Sequence, residues 1–329
     1  MRLRVLVLAF LIAAQARAAP VRIKLGTLAP QGSTWHQLLL EMAQKWSQAS
    51  NGQVELKIYA GGTQGNEGEM IRKISIGQLH AASITAIGLH EITPEPQAED
   101  VPFLIDSYEE YDYVHGKLRS KLDEALIAKG YVPIHWGEVG FVYFFSTEPW
   151  RTPAEFSKGK IFTWNGDPAA ESAWKKAGFR PVVLSSTDLI PALTSRMVNI
   201  ISQPPLYAFT THIFEKADNM LNLHWGFLTG ATVVKKDAWD RVAPDVQKKL
   251  LEIGEEYGER TRVDVRKQNE DAIQQMKKRG LTINQPADIG EWRKVAEQAH
   301  EVIRGKIVPA ALYDEVVRLR DEYRAQHRR

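Results

Sequence analysis

The chain has 329 residues, 44% of them hydrophobic and 25% charged, with 23 Gly, 16 Pro and no Cys. These proportions exclude collagen-like, coiled-coil and disordered chains, and the missing cysteine removes Cys nucleophiles, iron–sulfur clusters and Cys-based zinc sites. The length suits about two domains of roughly 150 residues, and 42 Lys+Arg against 40 Asp+Glu leaves no basic excess to attract nucleic acid.

The first 18 residues read as a secretory signal peptide. Arg2 and Arg4 precede an unbroken apolar run, Val5 to Ala14, and Ala16-Arg17-Ala18 forms an A-x-A cleavage pattern. The run is too short for a membrane span, which needs about 20 residues. Cleavage after Ala18 and export to the periplasm are expected. Removing Arg2, Arg4 and Arg17 leaves 39 basic against 40 acidic residues, a net −1.

In the mature part, residues 22–27 alternate polar and apolar as a half-buried strand. Pro30-Gln31-Gly32 turns the chain, Ser33 or Thr34 caps a helix, and Trp35, Leu38, Leu39, Met42, Ala43 and Trp46 mark its apolar stripe up to Asn51-Gly52. Trp35 is assigned to the core on that stripe. Val54, Leu56 and Ile58 alternate as a second strand. Gly61-Gly62-Thr63-Gln64-Gly65 lacks the Lys-Ser/Thr of a phosphate loop and reads as a turn. A helix over 67–76 and an apolar strand over 81–87 follow, then a helix carrying Tyr108 to Leu126 on one face. Strand and helix alternate here as in an open βαβ sheet.

Residues 132–145 are extended and aromatic-rich. A second round then begins, with strands at 160–164, 181–184 and 198–202 and helices at 168–177 and 188–194. A strand at 232–234 precedes a pattern from Ala243 to Arg279 whose one Pro, Pro244, suits a helix start. Such a helix spans on the order of 50 Å. Helices near 291–304 and 310–328 finish the chain. Arg318, Arg320, Arg324, Arg328 and Arg329 are read as a solvated face, as are the pairs Glu109/Glu110 and Glu255/Glu256. The nine His include no pair at i+3 or i+4, and neither a Gly-x-Ser-x-Gly elbow nor a His-Glu-x-x-His is present. No catalytic residue, metal site or cofactor is assigned.

Five stretches carry a resemblance along nearly the whole mature chain. They are Ile23 to Pro30; Tyr59 to Gly65 with Glu69-Met-Ile-Arg72; Asp100-Val-Pro-Phe-Leu104; Pro149 to Phe156; and Pro191 to Asn199. In that order the sequence resembles the solute-binding receptors of TRAP (tripartite ATP-independent periplasmic) transporters, of the dicarboxylate-receptor kind. The resemblance implies an α/β, two-lobed periplasmic binding protein of the Venus-flytrap type. Each lobe is an open, mostly parallel sheet flanked by helices, with the long helix bridging both. The expected division is 19–140 with 227–262 for one lobe and 141–226 with 263–329 for the other. The implied partners are a small organic solute and the membrane permease subunits, with the receptor acting as a monomer.

By the same resemblance the ligand site draws on the loop at Ala29, Pro30 and Ser33, on Thr85, on Asn165, and on Ser186 and Gln203. Phe162 and Trp164 share one face of their strand, and strand ends of open α/β sheets meet the ligand crevice. The chain departs from the family at two points. The Arg that usually grips the solute's carboxylate is replaced by Phe162, and a second Arg, in the crossing strand, by Val142. Arg180 or Arg196 could supply a substitute cation. Alternatively the solute's buried end is neutral, so that small dicarboxylates bind poorly. An exported enzyme on the same scaffold, or a receptor serving a membrane sensor, are the competing readings.

Overall fold

The computed structural model describes residues 19–327. The leader assigned to 1–18 and the terminal Arg328 and Arg329 lie outside the described residues. Strand β1 (Val21–Thr27) buries Ile23 and Leu25. Ser33 then caps helix α1 (Thr34–Ala49), its hydroxyl accepting from the His36 N–H at 3.4 Å. Leu38, Leu39, Met42 and Trp46 are the stripe that α1 buries, while Trp35, in the first turn, is only partly buried. Left-handed Asn51 and Gly52 (φ 51° and 76°) release the chain into β2 (Val54–Tyr59), parallel to β1. Helix α2 (Glu67–Ser75) starts from a capping box: Asn66 accepts from the Glu69 N–H at 2.8 Å, and Glu69 accepts from the Asn66 N–H at 2.9 Å. Strand β3 (Ala81–Thr85) pairs with the other side of β1 and leads through the single turn α3 (Ala86–His90) to α4 (Tyr108–Ala128).

Strand β4 (Tyr131–Ser146) opens the second round: α5 (Pro153–Phe156), β5 (Ile161–Trp164), α6 (Pro168–Lys176), β6 (Pro181–Leu184), α7 (Leu189–Thr194), β7 (Ile200–Gln203) and α8 (Pro205–Thr210). Strand β8 (Asn219–Lys235) returns the chain, followed by α9 (Lys236–Trp239), the 35-residue α10 (Pro244–Lys278), β9 (Thr282–Asn284), α11 (Ile289–Ile303) and α12 (Ala310–Gln326). At 1.5 Å per residue α10 is about 52 Å long.

The described strands form one continuous sheet in the order β2-β1-β3-β8-β4-β7-β5-β6, with β9 added to β8. Pairing is parallel at both ends of the sheet and antiparallel through the centre, where β4 and β8 run side by side. Residues 132–145, expected to be extended, lie within β4, whereas only residues 232–234 of β8 carry a strand expectation. In fact β8 is 17 residues long and crosses beside β4.

The β4–β8 ladder shifts register three times, and the middle shift, between Glu138 and Gly140, leaves Val139 unpaired. Gly140 there has φ +108°, and a Cβ on it would meet the Asn269 amide at 2.5 Å. Asn269 of α10 fastens this bulge by donating to Val139 O at 3.0 Å and accepting from the Leu206 N–H of α8 at 2.9 Å. Helix α10 approaches β4 closely at Gly254 and Gly258, where a Cβ would lie 2.6 Å from Ile134 O and 2.8 Å from Trp136 O. Its first half packs with β1, β2 and α1 through Val246, Leu250 and Tyr257, and its far end reaches a different core through Met276.

Two surface assignments need correction. Glu110 is buried rather than solvated, and Arg324 is not a free surface cation. Arg324 holds Glu110 at 2.5 Å and Asp106 at 2.9 Å, locking α12 against the start of α4. Glu255 and Glu256 remain half exposed and pair with Arg119 and Lys45.

Candidate functional site

The C-terminal ends of β3, β5 and β7 converge beside the β4–β8 pair, and the cavities gather there. A first chamber of about 110 Å³ is bounded by the loop after β1 at Ala29 and Pro30, and by Trp35, Thr85, Glu138, Trp164, Gln203 and Tyr207. A second, of about 140 Å³, is bounded by Asp100, Val142, Phe162, Thr163, Trp174 and Trp225, and shares Ile87, Trp164, Gln203 and Leu228 with the first. An outer cleft of about 360 Å³ lies between the start of α2 and the Trp164-Asn165-Gly166 turn.

Of the residues expected from sequence, Thr85, Val142, Phe162, Trp164, Asn165 and Gln203 line one or more of these spaces. Trp164 lines all three. Phe162 packs against it edge to face with centroids 5.4 Å apart. Ser33 and Ser186 line none of them. Ser33 is occupied in capping α1, and Ser186 is buried with no partner for its hydroxyl. The substitute cations fare no better: Arg180 and Arg196 are exposed and border none of these spaces.

The charges that do face the chambers are acidic. Thr85 is bound to Glu67, its N–H and hydroxyl donating to the two carboxylate oxygens at 2.8 and 2.7 Å. Burial raises the Glu67 pKa, opposed by those Thr85 bonds. Glu138 lies 3% exposed beside the first chamber and is gripped by the Arg266 guanidinium at 2.5 and 2.9 Å. Arg266 also binds Asp112 at 2.6 and 2.9 Å and lies 4.5 Å over the Tyr108 ring. Burial lifts the Glu138 carboxyl above its ordinary value even with Arg266 beside it. His135 in the first chamber is pushed down by burial and so favours its neutral form. Neither chamber has a Lys or Arg among its described lining residues.

Sequence reasoning missed Trp35, Glu67, Asp100, Glu138 and Tyr207. Tyr207 had a signal: Pro204-Pro205 directly after a strand starts a helix at the crevice, placing residue 207 in its first turn. Burial pushes its hydroxyl up to about 12, so it stays a neutral hydrogen-bonding group. Trp35 keeps to its helix period, yet its turn faces the chamber and its indole donates to Glu138 O at 3.1 Å. A stripe position shows which face is apolar, not what covers it.

Residues 25–306 match the family described as bacterial extracellular solute-binding protein, family 7. The chain belongs to this family. It is 24% identical over 273 residues to the C4-dicarboxylate-binding periplasmic protein DctP of Rhodobacter capsulatus, covering 81% of this chain and 80% of that protein. Among solved structures it resembles the TRAP periplasmic solute-binding protein of Ralstonia eutropha with bound (S)-2-acetolactate: TM-score 0.86, 19% identity, 92% of this chain and 99% of that one. The succinate-bound TRAP protein of Sulfurospirillum deleyianum superposes with TM-score 0.83 at 20% identity, over 91% and 99% of the two chains. The fold is therefore the two-lobed α/β architecture of TRAP receptors. As a family 7 receptor the chain takes up a small organic solute and works with the membrane subunits of a TRAP permease. The family's members are periplasmic receptors and not enzymes. Among the described residues no helix is long and apolar enough to cross a membrane.

Proposed function

We propose that this receptor captures a solute with an apolar or ring-bearing body whose buried end carries no carboxylate, and that it performs no catalysis. One observation carries this reading: the two inner chambers present Glu67, Glu138, Asp100 and Asp167 but no Lys or Arg among their described residues. The relatives bind succinate, acetolactate and C4-dicarboxylates. A carboxylate buried here without a cationic partner costs several kcal/mol. It would also face acidic walls. Phe162 and Val142, at the positions of the family's basic anchors, offer ring and aliphatic contact, with Trp164 as a platform between the chambers. Within this reading Thr85, Asn165 and Gln203 supply polar contacts, Ser33 caps α1 behind the loop, and Ser186 stays outside the chambers.

Calorimetric titration with succinate tests it. No binding is expected up to millimolar concentration, and micromolar affinity for succinate or malate would overturn the proposal.

We also propose that the lobes comprise 19–140 with 227–262 and 141–226 with 263–327, and close about the β4–β8 crossing. The two proposed boundaries in these strands, 140/141 in β4 and 226/227 in β8, meet at the pair Phe141↔Phe227, two residues from the bulge at Val139. Export with cleavage after Ala18 completes the proposal. The periplasmic product should begin at Ala19 by intact mass, and a product retaining Met1 there would refute the leader.

A further inference from the structure

Four buried polar atoms in residues bordering the second chamber have no hydrogen-bond partner: Gln97 Oε1, Asp100 Oδ2, Thr163 Oγ1 and Gln203 Nε2. Buried polar atoms are paired in the large majority of cases, so four around one space call for an occupant that pairs them. Thr163 and Gln203 are only 2% and 3% exposed. Asp100 Oδ1 accepts from the Thr229 N–H at 3.3 Å, and no ion pair forms at Asp100 among the described residues. Phe162, Trp164, Trp174, Trp225 and Phe227 make up much of the remaining wall.

A buried carboxylate with one free oxygen and no cation beside aromatic faces is the chemistry that receives a protonated amine. The ring quadrupoles and the carboxylate both favour positive charge, and the ammonium N–H groups give acceptors the donors they lack. We propose that the second chamber takes the protonated amine of a ring-bearing solute, with Asp100 Oδ2 and Gln97 Oε1 accepting from it and Gln203 Nε2 donating to a neighbouring oxygen of the same solute. This rests on the reading that the solute's buried end carries no carboxylate. Burial, with the nearby charges of Glu99, Asp167 and Glu67, holds the Asp100 carboxyl well above the usual range. A bound ammonium opposes that shift and keeps Asp100 ionised.

The test uses three probes with one phenylethyl body and different heads: 2-phenylethylamine, 2-phenylethanol and 3-phenylpropanoate. Each is titrated calorimetrically into the ligand-stripped protein. The amine should bind about tenfold or more tighter than the alcohol, and the acid should not bind. Asp100→Asn should weaken the amine about tenfold and leave the alcohol within about threefold. If that variant does not fold, Gln97→Leu should weaken the amine selectively. Alcohol binding as tight as amine binding overturns the amine assignment but leaves the proposed solute class standing. Preferential binding of 3-phenylpropanoate overturns both, and binding of none of the three overturns the amine assignment.

Discussion

Arg266→Met should destabilise the protein by about 3–5 kcal/mol, because it leaves the buried Glu138 carboxylate without its cation. The same arginine binds Asp112 and covers Tyr108, so its loss removes one tie of α10 to α4 and one to β4. The sign of the pH dependence follows from Glu138. Its pKa is already raised by burial, and removing Arg266 raises it further above the unfolded value. A carboxyl that holds its proton more tightly when folded favours folding at low pH, and that advantage fades as pH rises through the folded pKa. The variant should therefore approach wild type as pH falls and drop further behind as pH rises. Urea denaturation across the acid-to-neutral range checks this. A pH-independent loss below about 1 kcal/mol would contradict the pairing. Glu138→Gln placed with Arg266→Met should recover part of the loss, since no charge is then left unpaired.

Trp164→Ala should weaken binding of the solute recovered from the wild-type protein by about 30- to 100-fold, or roughly 2–3 kcal/mol of lost aromatic contact. Trp164 borders both chambers and the outer cleft, so removing its indole joins three spaces and withdraws the shared wall. The residue is only partly buried at the end of β5 and packs chiefly on Phe162. Its loss should therefore shift Tm of the unliganded protein much less than a core aromatic such as Trp292, which is fully buried against Phe144 and Phe156. Affinity and unliganded Tm measured together separate the two roles. A variant that binds normally would remove Trp164 from the site.

The elements built from local signals were legible: capped helices, alternating strands, and α10, whose only Pro falls at its first residue. Strand β8 was legible in part. Leu221, Leu223 and Trp225 are buried against exposed Asn222 and His224, a clear period of two, but Gly226 and Gly230 interrupt it and hide its length. Gly230 is there because β3 leaves no room: a Cβ on it would lie 2.6 Å from Ile84 O. The spacing Gly254-xxx-Gly258 in α10 was visible, yet its reason lies in β4 backbone more than 100 residues away. Strand ends pointed to Phe162 and Trp164 as cavity residues, and the family resemblance pointed to Gln203. Glu67, Asp100 and Glu138 were hidden because an acidic residue in sequence is more often solvated, and only tertiary packing shows that these three are enclosed.

Native mass spectrometry of the receptor purified from its periplasm addresses the central claim most directly, since the site itself selects from everything the cell offers. A bound species without a carboxylate at its buried end, and with a ring or extended apolar body, is the expected result. Recovery of succinate, malate or another small dicarboxylate as the retained solute would contradict the account.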